Sequence, residues 1–263
     1  MQASFNPFNP FKFAADFIIT LLLWIYFTCG YLLFFFPLYL ATFIFFKNRE
    51  KSFQRLNHLF YKCFFFLLLA LIPRLELLVH DEVLSIRSSV IVCNHLSYLD
   101  PILLISLFKK QKTIVKNFFF KVPLFGWVLK TSGYIPETSG NKKYASLLLK
   151  NMGQMKNFLS SGGNLFIFPE GTRSCGNKIG DFNKGAFRIA KFCNAPIKVL
   201  LIKNTDRLFQ PDNFLFNACT KKSIEVELIG SLNAGYKKKS IPVSNIMAQV
   251  SALFDKRSCS KSK

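Results

Sequence analysis

From Phe17 to Phe46 the chain reads FIITLLLWIYFTCGYLLFFFPLYLATFIFF, with no charged side chain. As a helix this run would be about 45 Å long, more than the roughly 30 Å of a bilayer's hydrocarbon core. A cleaved leader is a poor fit: the run is too long for its apolar region, only Lys12 precedes it, and no small-residue cleavage site follows. Pro37 lacks an amide proton and is expected to bend the helix, leaving Phe17 to Phe36 as a sufficient span; spanning and re-entrant geometries both stay open. Lys47, Arg49, Lys51 and Arg55 follow directly, and such basic flanks stay on the cytoplasmic side, where the rest of the chain is therefore expected. A second apolar stretch, HLFYKCFFFLLLALI (58–72), is interrupted by Lys62 and reads as an interfacial or core helix rather than a second span.

The charge balance is consistent with a membrane location. With 35 basic against 14 acidic side chains the net charge is +21, which calls for an anionic partner: nucleic acid, acidic lipid headgroups or a phosphorylated cofactor. Nucleic-acid binding has no use for the uncharged run, so anionic membrane lipid is the expected partner and no nucleic acid is. Half of the residues are hydrophobic (51%) and 32 are phenylalanine, which excludes a disordered polymer. Seven cysteines without a CxxC pair support neither a zinc site nor a complete disulfide framework, and fit a reducing compartment.

After residue 74 the texture changes. LELLVH (75–80), SVIVCN (89–94), NLFIFPE (164–170), PIKVLLI (196–202) and SIEVELIG (223–230) read as strands, and 101–109, 142–160 and 185–192 as helices. The alternation predicts an α/β domain, a mostly parallel central sheet flanked by helices with functional residues at strand ends, over 75–263, preceded by N-terminal hydrophobic membrane-anchoring helices over 1–74. The tail, with KKK at 237–239, is basic.

Two stretches carry chemistry. In VIVCNHLSYLD (90–100) an apolar strand breaks into Asn94, His95, Ser97, Tyr98 and Asp100. On a helix His95 and Asp100 would not share a face, but a strand-to-helix turn lets them meet. Asp100 would then fix the imidazole tautomer and leave the other nitrogen as general base toward a hydroxyl. The competing reading is that Asp100 only caps the helix that Pro101 starts. His58 and His80 have no such neighbour in sequence and read as interfacial or strand-packing residues. In NLFIFPEGTRS (164–174), Gly171 permits a tight turn and Arg173 offers a planar fork for phosphate, with Glu170 able to hold the guanidinium. Lys184, beside Gly185 at a helix start, is a further place for an anion.

NHLSYLD resembles the NHx4D-type block, and FPEGTRS the FPEGTR block, of the glycerolipid acyltransferases, which include bacterial 1-acyl-glycerol-3-phosphate acyltransferase. KNFFFKVPLFGWVLKTSGYI (116–135) is similar to the family's connecting stretch, and NAPIKVLLI (194–202) approximates its fourth block, so the resemblance covers about residues 85–205. It implies acyl transfer from acyl-CoA or acyl-carrier protein to the hydroxyl of lysophosphatidate or a related lyso-lipid, without a cofactor, a metal or a stable acyl-enzyme. His95 would be the base and Asp100 its partner, while Glu170, Gly171, Thr172 and Arg173 would shape the acceptor's phosphate site; Asn94, Ser97, Lys116 and Lys184 join them as substrate-binding candidates.

Where the family's second block carries an arginine, this chain has Ser139 in GYIPETS (133–139), with Lys142 and Lys143 near enough to substitute. Lys109, Lys110, Lys112, Lys116 and Lys121 read equally as a solvated or headgroup-facing surface and as a docking site for the donor. Lys198 is either a lip residue or a strand-edge charge. Cys93, in an apolar strand, reads as core rather than as an acyl-accepting nucleophile. Phe118 to Phe120, Phe125 and Trp127 line an acyl groove or rest at the interface. Besides phosphatidate synthesis, acylation of another lyso-lipid (a lysophospholipid or a lyso-ornithine lipid) and a catalytically silent membrane-binding protein stay open.

Overall fold

The structure, a computed structural model, describes residues 9–137, 152–171, 173, 182–211, 213–219, 221–236 and 241–259. A helix runs from Pro10 to Phe45 without a break: α1 (Pro10–Ile25), a π-helical segment (Tyr26–Phe35) and α2 (Phe36–Phe45). Pro37, the residue expected to bend it, lies within this helix. The wider π turn ahead of it, closed by Phe36 N–H donating to Tyr31 O, delivers Pro37 to the first turn of α2. The π-helical register ahead of it is where the continuous helix accommodates the missing amide proton. Only 11% of its most apolar window is buried.

The chain continues through α3 (Arg49–Leu71), β1 (Leu75–Val79), α4 (Asp81–Ser85), β2 (Val90–Cys93), α5 (Leu99–Leu107), β3 (Gln111–Val115), a 3-10 turn (Asn117–Lys121), α6 (Phe125–Thr131) and β4 (Ile135–Pro136). A helix over 152–160 (α7) leads to β5 (Asn164–Ile167), α8 (Gly185–Cys193), β6 (Ile197–Lys203), α9 (Thr205–Leu208), β7 (Lys222–Leu232) and α10 (Val243–Cys259). The strands form one sheet in the order β1-β7-β6-β2-β5-β3-β4; every pairing is parallel except β6 with β7.

The sheet has a core on each face. Strand periodicity sends Ile91, Cys93, Phe166 and Leu200 to one side, against α3 and α5, and Val90, Val92, Leu165 and Val199 to the other, against α7, α8 and α10. The stretch at 58–72 lies within α3, whose Phe60, Phe64, Phe65 and Leu68 are buried in the first core. The apolar helix is tied to α3 through Tyr26, whose hydroxyl donates to Phe60 O (2.7 Å), and through Tyr39, which donates to Asn57 Oδ1 (2.5 Å).

Two lysines have other settings than a solvated surface. Lys112 is 7% exposed and lies 3.0 Å from Glu50 Oε1, so an acidic residue on α3 neutralises a cation on β3. Lys110 Nζ donates to Ser161 O (2.6 Å). His80 also has a partner that its sequence neighbourhood does not supply, Glu225 Oε1 at 3.6 Å from Nε2, and His58 Nδ1 lies 3.2 Å from Ile105 O.

Candidate active site

Three parallel neighbours, β2, β5 and β6, end at the same edge of the sheet, where parallel α/β folds gather functional loops. Asn94 follows β2 and continues the ladder with its side chain: Nδ2 donates to Ile202 O and Oδ1 accepts from Ile202 N, both at 2.8 Å. The backbone then leaves the sheet at His95. Ser97 is fully buried, and its Oγ donates to Phe209 O (2.8 Å). Asn94 and Ser97, expected as substrate ligands, have their polar atoms bonded to backbone groups, because a buried strand-to-helix turn must satisfy its own N–H and C=O groups. They hold the turn that presents His95.

His95 Nδ1 lies 3.1 Å from Asp100 Oδ2. The same oxygen accepts from Leu96 N (2.6 Å) and Ser97 N (2.7 Å), and Oδ1 accepts from Thr205 Oγ1 (2.5 Å). Asp100 is 0% exposed, and these donors compensate its lost hydration. α5 starts at Leu99 with Tyr98 as its cap residue, so Asp100 sits inside the first helical turn and is not the N-cap; its oxygens serve the imidazole and the preceding turn. An acceptor-only carboxylate fixes the proton on Nδ1, which places the basic lone pair on Nε2. Phe168, just past β5, stacks on the imidazole with centroids 4.4 Å apart.

Glu170 Oε1 accepts from His95 N (3.3 Å) and ties the two loops together. Arg173 has its guanidinium 3.8 Å from the centre of the Tyr98 ring and donates from a terminal nitrogen to Pro211 O (3.3 Å). Gly171 has φ +68°, a conformation open to glycine. Burial, with the nearby carboxylates of Asp100 and Glu170, pushes the Cys93 thiol well above its usual range, which suits a core residue and not a thiolate nucleophile.

A cavity of about 960 Å³ opens beside these groups. His95, Tyr98, Lys116, Gly171 and Arg173 line it together with a larger apolar surface from the long N-terminal helix, α3, α5 and the 3-10 turn, including Phe27, Phe64, Ile105, Phe118 and Phe119. Of the aromatic cluster between the motifs, Phe118, Phe119 and Phe125 line the cavity, whereas Trp127 packs edge-on against Phe43 and Phe53. Lys184 is exposed at the residue before α8 and is not among the lining residues, although Asn183 and Gly185 are. Thr172, Ser139, Lys142, Lys143 and the 237–239 lysines lie outside the described residues. Thr205, Phe168 and Pro211 were not singled out by sequence; Thr205 is 105 residues from Asp100, and no local pattern links them.

Residues 76–203 match the family model described as Acyltransferase. Among curated proteins, the chain is 34% identical over 119 residues to a chloroplastic 1-acyl-sn-glycerol-3-phosphate acyltransferase of Brassica napus, covering 45% of this chain and 34% of that one. It is 29% identical over 160 residues to the 1-acyl-sn-glycerol-3-phosphate acyltransferase of Saccharomyces cerevisiae, covering 59% and 52%. The chain thus spans between a third and about half the length of these relatives. The crystal structure of the 1-acyl-sn-glycerophosphate acyltransferase PlsC from Thermotoga maritima superposes with a TM-score of 0.74 at 20% identity, over 95% of this chain and 98% of that one, and so shares the fold. Residues 76–203 therefore resemble the Acyltransferase family, and the chain has the fold of PlsC.

Proposed function

We propose that the chain is a membrane-bound 1-acylglycerol-3-phosphate O-acyltransferase, transferring a fatty acyl group from acyl-CoA or acyl-carrier protein to the free hydroxyl of lysophosphatidate. The observation that carries this reading is the His95–Asp100 contact at the wall of a large apolar cavity that also holds Arg173. His95 Nε2 removes the hydroxyl proton as the oxygen attacks the thioester carbonyl carbon. The tetrahedral oxyanion collapses, the C–S bond breaks, and the thiolate takes the proton back from Nε2, giving an ester and a free thiol. Asp100 keeps the ring oriented and stabilises the imidazolium that forms between the two transfers. Arg173 binds the acceptor phosphate in bidentate fashion, with Lys116 adding positive charge at the same cavity.

The long helix, with exposed Leu33, Phe34, Ile44 and Phe45, supports a membrane location, and the basic residues after it support a cytoplasmic catalytic domain that meets anionic lipid. Such a location suits a lipid acceptor and a lipid product, both of which stay in the bilayer. The test is a purified-protein assay with labelled acyl-CoA or acyl-carrier protein and a panel of lyso-acceptors with and without a terminal phosphate. Transfer to lysophosphatidate above all others is expected; transfer only to lysophospholipids whose phosphate carries a headgroup, or to a lyso-ornithine lipid, would reassign the acceptor, and no transfer to any would remove the catalytic reading.

A further inference from the structure

The geometry points to Tyr98 as a positioning residue that sets selectivity for acceptors ending in a phosphate, by holding the Arg173 guanidinium over its ring; this rests on Arg173 being the acceptor-phosphate ligand. Tyr98 is the cap residue of α5, and its backbone is fixed by the turn that carries His95. Its ring faces the cavity, is 51% exposed, and lies 3.8 Å from the Arg173 guanidinium carbon, with Phe209 beside it at 6.4 Å between centroids.

A guanidinium on a tyrosine face is attracted by the ring quadrupole. A contact through the ring face leaves for a phosphate the guanidinium N–H groups that Pro211 O does not take. The hydrogen bond to Pro211 O holds one terminal nitrogen and so limits rotation of the group over the ring. Because His95 and Tyr98 share one turn, the base and the phosphate anchor are fixed to a common piece of backbone. Loss of the ring frees the arginine side chain, and the phosphate must then order it on binding.

The experiment compares Tyr98→Leu, Tyr98→Phe and Arg173→Lys in steady-state assays against lysophosphatidate and an uncharged lyso-acceptor, with thermal unfolding as the check on folding. Tyr98→Leu is expected to raise the lysophosphatidate KM roughly three- to ten-fold. Its kcat and donor KM stay unchanged, and the preference over the uncharged acceptor narrows by the same factor. Tyr98→Phe, which keeps the ring, is expected to behave as wild type. An unchanged KM in Tyr98→Leu while Arg173→Lys raises it would overturn the role of Tyr98 alone. Equal impairment of Leu and Phe variants would show that the hydroxyl acts, and would also overturn it. If neither Tyr98→Leu nor Arg173→Lys moves KM, the phosphate-site reading falls and takes this inference with it.

Discussion

Thr205, the first residue of α9, donates to Asp100 Oδ1 at 2.5 Å, so the carboxylate that orients His95 is itself held from the end of another strand. Three of its four donors come from its own turn and the fourth from beyond β6. Without Thr205 the carboxylate keeps its bonds to the turn but loses the one that fixes its rotation. Thr205→Val is expected to lower kcat about ten-fold at unchanged acceptor KM and to cost about 1.5 to 3 kcal/mol of stability, the range for a hydrogen bond to a charged group. Thr205→Ser is expected to restore both. Wild-type kcat in the valine variant would show that the turn alone suffices.

Lys203 lies 2.9 Å from Glu225 Oε2 and 3.0 Å from Glu227 Oε1, at the β6–β7 pairing. The hydrogen bond from Lys203 holds the Glu225 carboxyl below its ordinary value of 4.5, against the opposing effect of burial. Between the folded and unfolded values the unfolded chain binds more protons, so this stabilisation is present above about pH 4.5 and is lost as pH falls through the lowered folded value. Burial pulls Lys203 down, but the hydrogen bonds to Glu225 and Glu227 outweigh it and hold the ammonium above 10.5; that contribution is present below 10.5 and is lost as pH rises through the folded value. Lys203→Met leaves Glu227, 5% exposed, with Arg257 at 3.4 Å, and is expected to cost about 2 kcal/mol near neutral pH. Melting temperature measured across pH is expected to be flatter at both extremes in the variant; a parallel downward shift at all pH values would mean that packing, not the ion pair, was lost.

The Lys112–Glu50 pair is asymmetric, with side chains 8% and 44% exposed. Glu50→Gln strands a buried cation and is expected to cost about 2 kcal/mol, whereas Lys112→Met strands only a hydrated carboxylate and is expected to cost less than about 1 kcal/mol. Denaturant unfolding of the two variants decides it: equal losses would contradict the burial argument.

Leu33, Ile44 and Phe45 are between 68% and 78% exposed. Replacing all three with Asp leaves the buried contacts of the long helix with α3 in place, so folding is expected to persist while partition into anionic vesicles falls at least ten-fold. Unchanged vesicle binding would move the attachment to the basic surface.

Elements with a buried periodic pattern were legible in the sequence. β2 is apolar throughout because helices cover both faces, and β5 and β6 stand out for the same reason. β3 was not: QKTIV begins with a glutamine and a lysine, and the buried Lys112 is neutralised by Glu50, far away in sequence. β4 is two residues long, pairs only with β3 and contains Pro136, which an edge strand tolerates and a pattern search rejects. The antiparallel entry of β7 has no local signature. Within the site, His95, Asp100 and Arg173 announced themselves through neighbouring polar residues at strand ends. Thr205, Phe168 and the Pro211 loop did not, since their relation to the dyad arises only when three strands align.

The central claim is that His95 takes the proton from the acceptor hydroxyl. It is tested most directly by the turnover of purified, folded His95→Ala with acyl thioester and lysophosphatidate. A fall of about 10² to 10⁴ in kcat is expected, with vesicle binding and far-UV circular dichroism unchanged. Turnover within a few-fold of wild type in that variant would contradict the account.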